Sequence, residues 1–172
     1  MPDHRSLITR KLDAESLSRA YPILEALGGR EGLGDWIRFL HRSLAREEDG
    51  DFRCGMLAVE DHKGYLLGLF CYQVVESPLR GRSLECENFT VPDLVRSTLP
   101  FETLIDAAER LARLYRCRHL SVSIATTEPG AALSPPMRDH LKERSFAFDS
   151  IRYAKTLAPR ETATEFGPLD AP

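Results

Sequence analysis

Glu85 and Glu87 bracket Cys86 in a stretch, Ser83 to Val91, that alternates as a β-strand. The two-residue period puts both carboxylates on one face. A carboxylate so placed can act as a general base, which makes these two the candidates for that role. Cys86 falls on the opposite face with no obvious activating partner, which argues against nucleophilic catalysis. Asn88, Phe89, Thr90 and Val91 carry the strand to its end. Arg96, Ser97 and Thr98 follow, one positive charge and two hydroxyls ahead of a helical stripe, a chemistry suited to holding phosphate. Each group also has a plainer reading. Glu85 and Glu87 fit a solvated or ion-paired strand face, and Ser97 or Thr98 fits an ordinary helix cap beside a solvated arginine.

Other reactive side chains carry less. His140 lies in a short helical segment and could donate a proton, although a lone helical histidine is more often surface. Tyr153 could donate through its hydroxyl or simply pack against a sheet. His119 starts a strand and reads as structural. The glycines at 28, 29, 32 and 34 match neither phosphate-loop pattern. The four cysteines, at 54, 71, 86 and 117, form no C-x-x-C pair and have no histidine at metal-ligand spacing. They read as free thiols in or near a core, and no metal site is expected.

The elements that must position these residues follow from periodicity. Ser6 to Leu12 reads as a strand. Asp13 reads as a helix N-cap, with Leu12 and Leu17 at the hydrophobic-staple positions. Leu17, Ala20, Tyr21, Leu24 and Leu27 give the helical stripe, which Pro22 is expected to kink or split. A glycine-rich break leads to Asp35, which can cap a helix carrying Trp36, Phe39, Leu40 and Leu44, with a charged turn at Arg46 to Asp51. Cys54 to Glu60, Tyr65 to Glu76 and Ser83 to Val91 predict a three-stranded meander, with Gly64 free to take positive φ in the first turn. Leu104, Ala107, Ala108, Leu111 and Leu114 predict a helix, tolerant of Pro100 at its start. His119 to Ala125 alternates as a strand. Thr126 to Pro136 reads as a loop, Met137 to Arg144 as a short helix, and Ser145 to Leu157 as one or two strands. The order β-α-α-β-β-β-α-β-α-β predicts an α/β (α+β) domain with a mixed, mostly antiparallel sheet and helices on both faces.

That order resembles the GNAT superfamily of N-acetyltransferases over about residues 6 to 157. The nearest local likeness is Val91 to Val122, where an apolar strand end is followed by Arg96, the Leu104-to-Glu109 helix and the Cys117-to-Val122 strand. Ser145-Phe146 and Tyr153-Ala154-Lys155 resemble the family's ending. The resemblance implies a single GNAT-like domain over residues 1–158, with a loose tail at 159–172. It implies acetyl-CoA or another acyl-CoA as co-substrate, held by Phe89, Thr90, Val91, Arg96, Ser97 and Thr98. It implies Glu87 or Glu85 as base, an amine acceptor that is a small molecule or a protein, and Trp36, Arg38 and Phe39 near the acceptor. The sequence departs from the pattern at named places. Leu99 and Phe101 hold the two glycine positions of the pyrophosphate loop, where a β-carbon obstructs close approach. Glu102 adds negative charge in the first helical turn. Asp93 replaces a proline, and Leu141 stands where many relatives carry a proton-donating tyrosine. These departures keep two alternatives in view: a non-catalytic binding or regulatory module on the same fold, and a transferase whose donor is an acyl carrier protein.

Composition sets the outer bounds. The chain has 172 residues, 42% hydrophobic and 28% charged, with a net charge of −3. That describes one globular domain. It gives no broad positive field for nucleic acid and no polybasic run for a membrane surface. The longest apolar stretch, Tyr65 to Val75, is too short to span a bilayer. Met1 to Arg5 leads into no apolar segment, so no secretory signal is expected. A cytoplasmic protein is the expectation, with a homodimer left open.

Overall fold

Asp13 opens the first helix as its sequence position predicts. Its carboxylate accepts a hydrogen bond from the Ser16 backbone N–H at 2.7 Å, and that bond holds the Asp13 carboxyl below its usual range. Leu12, just before it, is fully buried. The computed structural model describes residues 7–26, 32–48, 53–92, 97–124 and 133–149. Within them lie β1 (Ile8–Lys11), α1 (Ala14–Ala26), α2 (Leu33–Glu48), β2 (Cys54–Glu60), β3 (Leu66–Ser77), β4 (Gly81–Thr90), α3 (Leu99–Leu114), β5 (His119–Ile124) and α4 (Pro135–Glu143).

The five strands form one sheet in the order β1-β2-β3-β4-β5. The first three pairings are antiparallel and the last, β4 with β5, is parallel. A parallel neighbour needs a crossover, and α3 supplies it. The β2–β3 turn has Gly64 at φ 78°, and the β3–β4 turn has Gly81 at φ 67°. Both conformations are ones that glycine adopts without a β-carbon penalty.

Helices cover both faces of the sheet. On one, Leu57, Val59, Phe70, Tyr72, Leu84, Cys86 and Phe89 pack against Phe101, Leu104, Ile105 and Ala108 of α3, with Met137 and Leu141 of α4 alongside. On the other, Met56, Ala58, Leu69 and Cys71 pack against Leu12, Ala20 and Ile23, with Trp36 and Ile37 of α2 beside them. Helix α1 lies on β3 and α2 on β2. The polar residues of β4 therefore stand to one side of this second apolar cluster.

Several boundaries differ from the sequence reading. Helix α1 runs through Pro22 without a break. Proline removes one backbone bond, but the buried Ala20 and Ile23 hold the flanking turns against the sheet. Helix α2 begins at Leu33, ahead of Asp35. The Asp35 and Trp36 N–H groups both donate to the Gly32 carbonyl, and Asp35 sits in the first turn in an ion pair with Arg38. The same helix continues to Glu48 over the expected charged turn. Helix α4 begins at Pro135, since proline suits a first helical turn. Residues 145–149 form no strand. Ser145, at φ 63°, instead ends α4: its N–H donates to Lys142 O at 2.9 Å, and Phe146 N–H donates to Leu141 O at 2.9 Å. The remainder of that expected strand, Tyr153 and the 159–172 tail lie outside the described residues. Among the described residues, no helix is long and apolar enough to cross a membrane.

Candidate active site

Side chains along β4 alternate until Cys86. Leu84 and Cys86 face α3, while Glu85 and Glu87 face the α1/α2 side opposite Gln73 and Cys71 of β3. The alternation then breaks. Cys71 pairs with Glu87 and Leu69 with Thr90, so three steps on β4 match two on β3. On the other side Cys86 pairs with Val122 and Phe89 with Ile124, again three steps against two. The extra residue is a β-bulge. Asn88 has a ladder partner in neither register and stands at φ 53°. The bulge turns Phe89 into the α3 core, stacked on Phe70 with ring centroids 5.3 Å apart. It places Thr90 opposite Leu69, on the α1/α2 side.

This brings Glu85, Glu87, Asn88 and Thr90 to one side of one strand. Glu85 accepts a hydrogen bond from Gln73 Nε2 at 3.4 Å. Asn88 Nδ2 donates to Cys71 Sγ at 3.8 Å. Burial pushes the Cys71 thiol up to about 11, so it stays protonated at neutral pH. Cys86 is raised still further by burial and is an inert core thiol. Gly68 makes room at the strand's end. A β-carbon there would lie 2.7 Å from the Thr90 carbonyl and 3.0 Å from Val91 Cγ2. Trp36 and Phe39 meet edge to face at 6.1 Å on α2, with Phe39 40% exposed. Among the described residues, no group of His, Cys, Asp and Glu is gathered as a metal site.

The start of α3 is arranged differently. Ser97 Oγ accepts the Leu99 N–H at 3.2 Å. Pro100 has no N–H to offer. Thr98 Oγ1 donates to Glu102 Oε1 at 2.6 Å, and the Glu102 N–H donates back to Thr98 O at 3.0 Å. The Thr98 hydroxyl expected to bind phosphate thus donates within the chain, Ser97 Oγ accepts there, and a carboxylate stands beside them. Arg96 lies outside the described residues. The Phe101 side chain belongs to the core beside α3. It is 1% exposed, edge to face with Phe89 at 5.5 Å. Leu99, 46% exposed, does point outward. On α4, Leu141 packs on the α3 core. His140 lies edge-on to Phe101 at 6.2 Å, and its Nε2 is buried with no hydrogen-bond partner.

The Asn88 bulge and Gly68 are the site features that the sequence reading missed. A signal existed for each. The inward apolar positions on β4 step from 84 to 86 and then to 89, and a glycine inside a strand often marks a close backbone approach.

No family profile matches the sequence, and no curated protein does. Solved structures match closely in shape. Glucosamine-6-phosphate N-acetyltransferase from Arabidopsis thaliana superposes with a TM-score of 0.65 at 14% identity, over 89% of this chain and 99% of that one. Ribosomal-protein-alanine N-acetyltransferase from Brucella melitensis biovar Abortus 2308 gives 0.63 at 16%, over 88% of this chain and 100% of that one. A GNAT family acetyltransferase from Staphylococcus aureus gives 0.62 at 13%, over 88% and 99%. The architecture is a single mixed-sheet α/β domain with a parallel pair bridged by one crossover helix. That domain has the GNAT acetyltransferase fold.

Proposed function

We propose that the protein transfers an acyl group, acetyl in the simplest case, from a thioester donor to a primary amine. The observation that carries this reading is the Asn88 bulge, set in a parallel β4–β5 pair beside Glu85 and Glu87. A bulge interrupts the ladder and leaves a backbone residue unpaired. Donors of that kind suit a carbonyl oxygen that gains charge as it is attacked. Glu87, next to the bulge and on the α1/α2 side, is the base. Its carboxylate takes a proton from the arriving ammonium. The freed lone pair forms the N–C bond, the C–S bond breaks, and the sulfur leaves as thiolate. The second amine proton goes to solvent. Glu85, held by Gln73, adds negative potential that draws a cationic acceptor. Phe89 contributes through its backbone, because its ring is core, and Thr90 and Val91 extend the same edge toward the donor's pantetheine arm.

The donor's two ends do not fit equally. The strand edge suits an acyl-pantetheine. The start of α3 suits a diphosphate poorly, because Ser97, Thr98 and Pro100 offer few donors and Glu102 is like-charged. This favours, as a second reading, a donor carried on a protein through the same arm. Calorimetric titration with acetyl-CoA, longer acyl-CoAs and acetyl-pantetheine separates the two. Micromolar binding of an acyl-CoA, with turnover on an amine panel, supports the CoA-dependent transferase. Equal binding of acetyl-CoA and acetyl-pantetheine supports the carrier-protein donor. No binding of any thioester leaves a non-catalytic module.

A further inference from the structure

Among the described residues, three non-glycine residues have positive φ: Asn88, Arg116 and Ser145. Two of them have an ordinary explanation. Arg116 follows the end of α3, where Cys117 N–H donates to Ala112 O at 2.8 Å and Arg116 N–H to Arg113 O at 3.0 Å. Ser145 ends α4 in the same way. Left-handed residues are routine at helix C-termini. Asn88 sits inside a strand, at the bulge, where a left-handed residue is ordinarily glycine. Outliers of this kind cluster at functional sites.

Resting on the transferase reading above, we propose that Asn88 is a positioning residue, a latch that fixes the acyl-binding edge of β4. Two properties make it one. Asparagine enters the left-handed region more readily than other residues with a β-carbon. Its amide also ties the bulge to the neighbouring strand, through the hydrogen bond to the Cys71 thiol. That thiol is buried and remains protonated, a stable neutral partner. The latch sets which backbone atoms of residues 88–90 leave the ladder, and it fixes the parity shift that sends Phe89 into the core and Thr90 to the opposite face. A substitution that let β4 run straight would exchange those faces.

The test compares two probes that differ only in the acyl group, acetyl-CoA and CoA, by calorimetry on the full chain. If the bulge binds the acyl carbonyl, acetyl-CoA binds more tightly than CoA, by roughly five- to tenfold for one good hydrogen bond. Asn88→Ala and Asn88→Val should bring that ratio to one, and the ratio is the readout because a straightened strand also moves Thr90 and Val91. Asn88→Gly, which keeps the left-handed conformation, should retain most of the ratio. Circular dichroism reports whether each variant folds, and Asn88→Ala decides the matter if Asn88→Val does not. An unchanged ratio in Asn88→Ala overturns the latch. A ratio lost as fully in Asn88→Gly as in Asn88→Ala leaves only the amide tie to Cys71 to carry the latch. An unchanged ratio in Cys71→Ala, which removes the partner of that tie, then overturns it. If wild-type protein binds both probes equally, the latch alone fails. If it binds neither, and binds no acetyl-pantetheine, the transferase reading fails and the latch falls with it.

Discussion

The end of β4 and the start of α3 are adjacent in the chain, and in the proposed transferase they would face opposite ends of one donor. They are built in contrasting ways. At the end of β4 the backbone is opened by a bulge, and polar side chains gather on one side of it. At the start of α3 the Leu99 N–H goes to Ser97 Oγ, the Glu102 N–H goes to the Thr98 carbonyl, and Pro100 has no N–H. The first arrangement leaves one backbone residue out of the ladder. The second uses two of the first-turn N–H groups within the chain and lacks a third, which leaves fewer for a phosphate. In the proposed transferase the acyl end of the donor would thus be better provided for than its nucleotide end.

The contrast can be broken first at β4. Glu87→Gln removes the proposed base and should lower kcat by roughly 10²- to 10⁴-fold at neutral pH. Donor affinity measured by calorimetry should stay within about twofold of wild type, less than one ordinary hydrogen bond's worth. Glu85→Gln should act mainly on KM for the amine. Full activity in both variants would remove these carboxylates from the mechanism.

The next effect is on folding, at α3. Phe101 is a core aromatic, so Phe101→Gly should cost about 3–5 kcal/mol for the lost packing, before any helix penalty. Leu99→Gly, at an exposed position, should cost about 1 kcal/mol or less. Thermal melts of the two single variants test this directly. Equal losses would mean that Phe101 is not the packing element described above. Only Leu99→Gly bears on phosphate access, so a gain in acetyl-CoA affinity should come from it alone.

A smaller effect distinguishes the β4 region by pH. Cys71 has a folded pKa of about 11 against an ordinary value of 9.0, because burial disfavours its thiolate. A raised pKa in the folded state stabilises the protein fully below the unfolded value. That contribution is lost as pH rises from about 9 toward 11. Urea midpoints should therefore fall over this window in wild type and fall less in Cys71→Ala. Identical slopes would show that Cys71 does not carry the alkaline loss.

Much of the fold was legible because apolar spacing decides it. Leu104, Ala107, Ala108 and Leu111 forecast α3, and the turn at Gly64 forecast the β2–β3 hairpin. The bulge was hidden because one inserted residue leaves composition unchanged and shifts only parity, here between Cys86 and Phe89. The role of Phe101 was hidden because alignment to a glycine position says which residue is present, and not where its side chain turns. Glu85 and Glu87 were legible as a pair on one face, but their neighbours on that face, Asn88 and Thr90, depend on the bulge.

The smallest effect sharpens the comparison at α3. Glu102→Gln keeps an oxygen that can accept the Thr98 hydroxyl, so the local geometry should survive while the charge disappears. A carboxylate in a first helical turn interacts with the helix dipole by about 0.3–1 kcal/mol at low salt. A bound diphosphate at the same place would feel a repulsion of similar size. Acetyl-CoA affinity should then rise by roughly two- to fivefold at low ionic strength. The gain should shrink near 1 M salt, where the screening length is about 3 Å instead of about 10 Å at 0.1 M. Acetyl-pantetheine lacks the diphosphate, and its affinity should not change at either salt concentration. A gain for acetyl-CoA alone places the diphosphate beside Glu102 and supports the CoA-dependent reading. No gain for either ligand means that the start of α3 is a closed helix cap, and the donor is then recognised at β4 through its acyl-pantetheine arm.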